Sequence, residues 1–215
     1  ISNADDPDYV SASGGFYEAS SDMDLLALLA NSPEGSNMPI KEVLGNVVLL
    51  LVGGNDTTRN SISGGLLALN QFPSEYDKLI GNPELIASMV SEIIRWQTPL
   101  AHMRRTATRD YGLRGQTIKK GDMVIMWYLS GNRDPEAIAD PDQFIIDRRR
   151  PREHLSFGFG LHRCLGNRLA EMQLRVLWEE VVNRCPRIKV TGEVVRASSP
   201  LFRAIQTMPV TMDIA

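Results

Sequence analysis

Cysteine and histidine are scarce in this chain, with two Cys and three His among 215 residues. Two cysteines cannot build the disulfide framework of a small secreted domain. Neither C-x-x-C nor H-x-x-x-H spacing occurs, so paired motifs cannot assemble the four ligands of a structural zinc site. Long apolar runs are also missing: a run such as Val47 to Val52 falls far short of the ~20 residues that span a bilayer, and no membrane anchor is expected. Ile1 to Asp22 has neither the basic start nor the apolar run of a signal peptide, which points to a cytoplasmic location. An excess of positive charge is lacking too, and the net charge of −3 argues against nucleic acid or an acidic membrane surface as an overall partner. No internal repeat occurs.

What remains is a globular composition, 43% hydrophobic and 23% charged, sufficient for a single core. Residues 1–21 are rich in Asp, Ser, Gly and Ala without periodicity and read as an irregular segment. Asp22 to Asn31 reads as a short helix, broken by Pro33 and Gly35. A long helix follows, with Asn37 as a possible cap, Pro39 in its first turn and an apolar pattern continuing to Leu69. Part of it, Val47 to Gly54, could equally be a strand entering a phosphate-binding turn. That reading lacks the Lys-Ser/Thr of a P-loop and the third Gly of a dinucleotide fingerprint. Pro73 and Asn82-Pro83 start two more helices, the second running to about Gln97 before Pro99. Strand texture then appears at Arg105–Thr108, Gln116–Ile118 and Met123–Leu129.

The run Phe157-Gly158-Phe159-Gly160-Leu161-His162-Arg163-Cys164-Leu165-Gly166 carries the chemistry. Leu165, Leu169, Met172, Val176, Leu177 and Val181 recur at helical spacing until Pro186, which predicts that Cys164 stands at a helix N-terminus. There the helix dipole and the neighbouring Arg163 and His162 favour a thiolate, the form that soft metals bind. Glycines let the backbone turn and approach a bulky group closely. With half of a zinc site set aside by that ligand count, the residues alone leave three readings open: a buried inert thiol, a nucleophile, or the single thiolate ligand of a haem.

The pattern F-x-x-G-x-H-x-C-x-G resembles the haem-binding loop of the cytochrome P-450 superfamily. Upstream and in the family's order, Glu92-Ile93-Ile94-Arg95 is similar to its E-x-x-R, and Gly53-Gly54-Asn55-Asp56-Thr57-Thr58 to its oxygen-activating G-G-x-D-T-T. Asn132-Arg133-Asp134-Pro135 and Pro141-Asp142-Gln143-Phe144 resemble further landmarks. The resemblance implies a mainly α fold with small β-sheets, in which residues 22–215 are the haem-ligating C-terminal part of a single domain whose N-terminal part is absent from the chain.

It also implies roles. Cys164 would be the metal ligand of haem b (iron protoporphyrin IX). Gly53, Gly54, Arg105, Phe157, Gly158, His162 and Gly166 would bind the cofactor with it, Arg105 and His162 at the propionates. Asp56 and Thr57 would be catalytic, Thr57 steadying dioxygen and Asp56 relaying protons. Glu92 and Arg95, which as an i, i+3 pair could simply be a surface ion pair, would form a structural network. Its usual third member, an arginine, is replaced by Gln143, so Arg148 or backbone carbonyls are the candidates for completing it. Leu49, Val52, Leu100, Ala101, Leu201 and Phe202 would line the substrate side and suit a small aliphatic substrate. Details of the motifs look most like bacterial soluble alkane and fatty-acid terminal hydroxylases, supplied with electrons by ferredoxin and ferredoxin reductase. The arginines from Arg148 to Arg168 are either a solvated face or a docking surface for such an acidic donor. A remnant that binds haem without turnover is the alternative function.

Overall fold

The computed structural model describes residues 25–212, and the irregular segment expected over 1–21 lies outside them. The chain divides into two compact units, Ile1–Val52 and Gly53–Ala215. In the first, helix α1 spans Leu25–Asn31 and a single turn, α2, spans Pro33–Ser36. The Ser32 hydroxyl accepts from Gly35 N at 2.9 Å and caps that turn. Helix α3, Ile40–Gly54, follows. Asn37 does not cap it as the sequence suggested. Asn37 closes the C-terminal end of α2, its side chain donating to Pro33 O, and the first amides of α3 are taken by Pro39 O.

The second unit begins with a further departure from the expected helix to Leu69. The backbone breaks at Asn55 (φ −93°, ψ −73°), and a separate helix α4 runs Asp56–Gln71. Pro73 opens α5, Pro73–Gly81, where its missing N–H costs nothing. Asn82 Oδ1 accepts from Glu84 N, capping a 3-10 turn that leads into α6, Ile86–Gln97. Thr98, in the left-handed region at φ 41°, ends α6 ahead of Pro99.

Among the described residues, four two-stranded antiparallel sheets follow. Strand β1, His102–Thr106, pairs with β4, Met123–Trp127, with His102 opposite Trp127 and Arg105 opposite Val124. The first strand therefore starts earlier than Arg105, and the second stops short of Leu129 because Tyr128 begins a one-turn helix, α7, Tyr128–Gly131. Strands β2, Tyr111–Leu113, and β3, Gln116–Ile118, form a tight hairpin. Its two-residue turn, Arg114-Gly115, has both φ angles positive. After helix α8, Asn167–Arg184, come β5 (Ile188–Val190) with β8 (Val210–Met212), and β6 (Val195–Arg196) with β7 (Ile205–Thr207).

The core gathers on α6. Ile86, Met89, Val90, Ile93 and Ile94 are buried at helical spacing against Ala68, Leu69, Tyr76, Leu79, Phe144, Ile146, Leu174 and Trp178. Helix α4 approaches so closely that a Cβ on Gly64 would sit 2.3 Å from Gln97 Oε1. Phe72, Trp96 and Phe144 form an aromatic cluster with ring centroids 5.3–6.0 Å apart. Among the described residues no helix is long and apolar enough to cross a membrane.

Candidate functional site

Glu92 and Arg95 are not a surface pair, for both are buried within α6. Arg95 meets the carboxylate with two hydrogen bonds of 2.8 Å, Nε to Oε2 and Nη2 to Oε1. Its remaining donors reach Asn132 O and Pro141 O from Nη1, at 2.8 and 2.9 Å, and Gln143 O from Nη2, at 2.9 Å. Arg148 also binds Glu92, Nε to Oε2 at 3.0 Å and Nη2 to Oε1 at 3.2 Å, and donates to Gln143 O. Both routes open to a chain with Gln143 are thus used: Arg148 supplies the second cation, and backbone carbonyls take what is left. Ile145 N completes the shell of Glu92 at 2.9 Å. Buried charges are tolerated because each is paired and hydrogen-bonded.

The glycine-punctuated loop follows. Gly158 (φ 69°) and Gly160 (φ 75°) take left-handed angles that an L side chain rarely adopts. Those turns bring Cys164 N back to Phe157 O at 2.8 Å, and Gly158 N bonds Leu155 O at 2.7 Å. Cys164 is exposed at the end of a 3-10 turn, Gly160–His162. It does not begin α8: Gly166 is the N-cap residue, and Asn167 Nδ2 donates to Cys164 O at 2.6 Å. Around the thiol the loop displays apolar side chains, with Phe159 88%, Leu161 97% and Leu165 85% exposed. The donor chemistry fits a haem. A lone thiol is offered, no cluster of three or more His, Cys, Asp or Glu suited to a bare ion occurs among the described residues, and a macrocycle brings its own four nitrogens.

The other residues singled out by sequence are placed as follows. Thr57 Oγ1 donates to Gly53 O at 2.7 Å, the usual bond of a helical threonine. Asp56, the first residue of α4, is held by Arg59 at 2.7 Å. Leu100 forms an isolated bridge with Phe202, and Ala101 N donates to Leu201 O at 2.8 Å, so these four candidate substrate residues come together. Leu49 and Val52 are exposed on α3. Arg105 is half-buried on β1, its guanidinium bonded to Arg104 O. His162 is exposed, and among the described residues no hydrogen bond joins it to Arg105. Of the clustered arginines, Arg150 pairs with Glu153 and Arg152 with Glu171. Arg149, Arg163 and Arg168 are exposed without an acidic partner among the described residues.

Two residues were not singled out by sequence. Asn132, noted only as part of N-R-D-P, is fully buried and links three segments. His154 packs on Phe157 with ring centroids 5.3 Å apart, and its buried Nδ1 has no hydrogen-bond partner among the described residues. Burial, reinforced by the positive charges of Arg163 and Arg95, pushes its pKa down to about 4. A His three residues before the Phe157–Gly166 loop was the available signal.

The buried E-x-x-R network and the thiol-bearing loop are now joined by a match to the cytochrome P-450 family over residues 9–195. The chain belongs to the cytochrome P-450 family. It is 42% identical over 190 residues to linalool 8-monooxygenase of Pseudomonas putida, covering 88% of this chain and 47% of that protein. It is 40% identical over 187 residues to the methyl-branched lipid omega-hydroxylase of Mycobacterium bovis, covering 86% and 44%. The solved structure of cytochrome P-450 153 from Novosphingobium aromaticivorans superposes with a TM-score of 0.85 at 47% identity, covering 88% of this chain and 48% of that one. The fold is the mainly α P-450 fold with small sheets. The chain spans about half the length of the curated relatives it matches.

Proposed function

We propose that the protein is a haem-thiolate monooxygenase that hydroxylates an aliphatic C–H bond, with a terminal carbon of an alkane or fatty acid as its target. The observation that carries this reading is Cys164, an exposed thiol on a loop turned by two left-handed glycines, in a chain belonging to a family of haem-thiolate enzymes. Relatives named for linalool and for the omega position of a branched lipid support the substrate class.

Haem b, when bound, would supply the redox centre for activating dioxygen. The protein's residues hold and serve that centre. Cys164 would be the ligand, and its backbone is fixed by Phe157 O and Asn167. Arg105 and His162 would hold the propionates by charge-assisted hydrogen bonds. Thr57, whose proton is committed to Gly53 O, keeps lone pairs to accept a hydrogen bond in the pocket, and Asp56 passes protons toward it. Leu100, Ala101, Leu201 and Phe202, which lie together, give the substrate an apolar wall. Arg149, Arg163 and Arg168, exposed and without an acidic partner among the described residues, attract an acidic ferredoxin, itself reduced by a ferredoxin reductase. The protein acts in the cytoplasm.

A second reading is that these residues bind haem without turning over on their own. It is favoured by the chain covering under half the length of its relatives. One experiment separates the two: reconstitute with haem, reduce, add carbon monoxide, then supply ferredoxin, reductase, alkane and dioxygen. The red-shifted Soret band of a thiolate-ligated ferrous haem, followed by a terminal alcohol, is expected. The band without product favours the second reading, and no haem uptake overturns both.

A further inference from the structure

We propose that Asn132 is a positioning residue for the Cys164 loop, acting through a seat built by α7 and the C-terminal end of α6; the proposal rests on the reading of Cys164 as the thiolate ligand. Asn132 follows α7 directly and is completely buried. Its carboxamide is used at both ends. Oδ1 accepts from Leu155 N at 2.7 Å, and Nδ2 donates to Thr98 Oγ1 and to Ser156 Oγ, both at 2.8 Å. Each hydroxyl passes its own proton to α6, Thr98 to Arg95 O at 2.6 Å and Ser156 to Ile94 O at 2.7 Å. The main chain of Asn132 joins in as well, since its carbonyl accepts from Arg95 Nη1 and its N–H donates to Tyr128 O.

One amide therefore ties the last turn of α6, with its unpaired carbonyls, to the two residues that open the thiol-bearing loop. From there the constraint is short. Leu155 O takes Gly158 N, and Phe157, the neighbour of Ser156, takes Cys164 N on its carbonyl. Packing fixes the same segment. A Cβ on Gly131 would lie 2.6 Å from Leu155 Cδ1, and one on Gly158 would lie 3.1 Å from the Tyr128 hydroxyl, so α7 fits the loop entry closely. A fully satisfied buried network specifies one geometry, and losing its central donor leaves two hydroxyls and an amide to re-pair. Groups behind a ligand that fix its orientation alter ligation without touching the metal.

The test uses the haem-loaded protein with Asn132→Leu, similar in size but without hydrogen bonds, and Ser156→Ala, which removes a single link. Amide hydrogen exchange over residues 155–164 should rise about tenfold in Asn132→Leu while exchange over Ile86–Gln97 is unchanged. The share of ferrous carbon monoxide complex showing the thiolate Soret band should fall in parallel. Ser156→Ala should move both readouts the same way by a smaller factor, and it decides the matter if Asn132→Leu does not fold. Unchanged exchange and an unchanged band overturn the proposal. So does equally raised exchange in α6 and the loop, which would mark Asn132 as general scaffolding. A wild-type protein without the thiolate band would instead sink the ligand reading of Cys164, with exchange still judging whether Asn132 seats the loop.

Discussion

At the C-terminal end of α6, Glu92 and Arg95 are withdrawn from solvent and every polar group of the pair is answered, by Arg148, by Ile145 N and by three backbone carbonyls. In the loop from Phe157 to Gly166 the relation is reversed. Its backbone is fixed, but Phe159, Leu161, Leu165 and the thiol of Cys164 are turned outward. Charge lies inside one region and apolar surface outside the other, the opposite of what transfer free energies favour for either taken alone. The difference assigns the work. The α6 end is a brace whose chemistry is satisfied internally, and the loop is an outward-turned apolar surface whose entry is hydrogen-bonded to that brace through Ser156 and Asn132.

Removing the shared carboxylate breaks the comparison most severely. Glu92→Ala leaves two guanidinium groups facing each other without their anion and should lower unfolding free energy by ~3–5 kcal/mol in urea titration. Next comes pH, acting through His154 between the two regions. Its pKa is lowered from 6.5 to about 4 in the folded protein, so below pH 6.5 the unfolded chain takes up a proton that the folded chain refuses. Stability contributed by neutral His154 is present above pH 6.5 and is lost progressively down to pH 4, by up to ~3 kcal/mol. Unfolding of His154→Leu should be less pH-dependent than wild type across that window; parallel curves would contradict the buried neutral histidine. Arg148→Ala is smaller, about 1–2 kcal/mol, because Arg95 still neutralises Glu92. A larger loss from Arg148→Ala than from Glu92→Ala would mean that Arg148 acts elsewhere.

Much of this was legible in the residues. Pro73, Asn82-Pro83 and Pro99 mark helix ends by chemistry that operates within a few residues, and the structure follows them. The E-x-x-R and thiol motifs were readable because their spacing is fixed by the chain itself. The break at Asn55 was not, since two adjacent glycines weaken a helix without saying where it yields. Helix α8 shows another limit. Its periodic Leu169, Met172 and Val176 are exposed, while Leu174 and Trp178 hold the buried side. Periodicity reveals an apolar stripe but not what it meets. Asn132 was noted only as a letter in N-R-D-P, because its partners Thr98 and Ser156 lie 34 and 24 residues away and become neighbours only in the fold.

The smallest expected effect on stability belongs to the residue with the largest expected effect on function. Cys164→Ser exchanges one exposed atom and should change unfolding free energy by less than ~0.5 kcal/mol. The most direct test of a braced frame presenting a metal ligand is the ferrous carbon monoxide spectrum of this variant beside wild type, at matched haem content. Loss of the red-shifted Soret band with unfolding unchanged is the predicted result, and retention of the band in Cys164→Ser would contradict it.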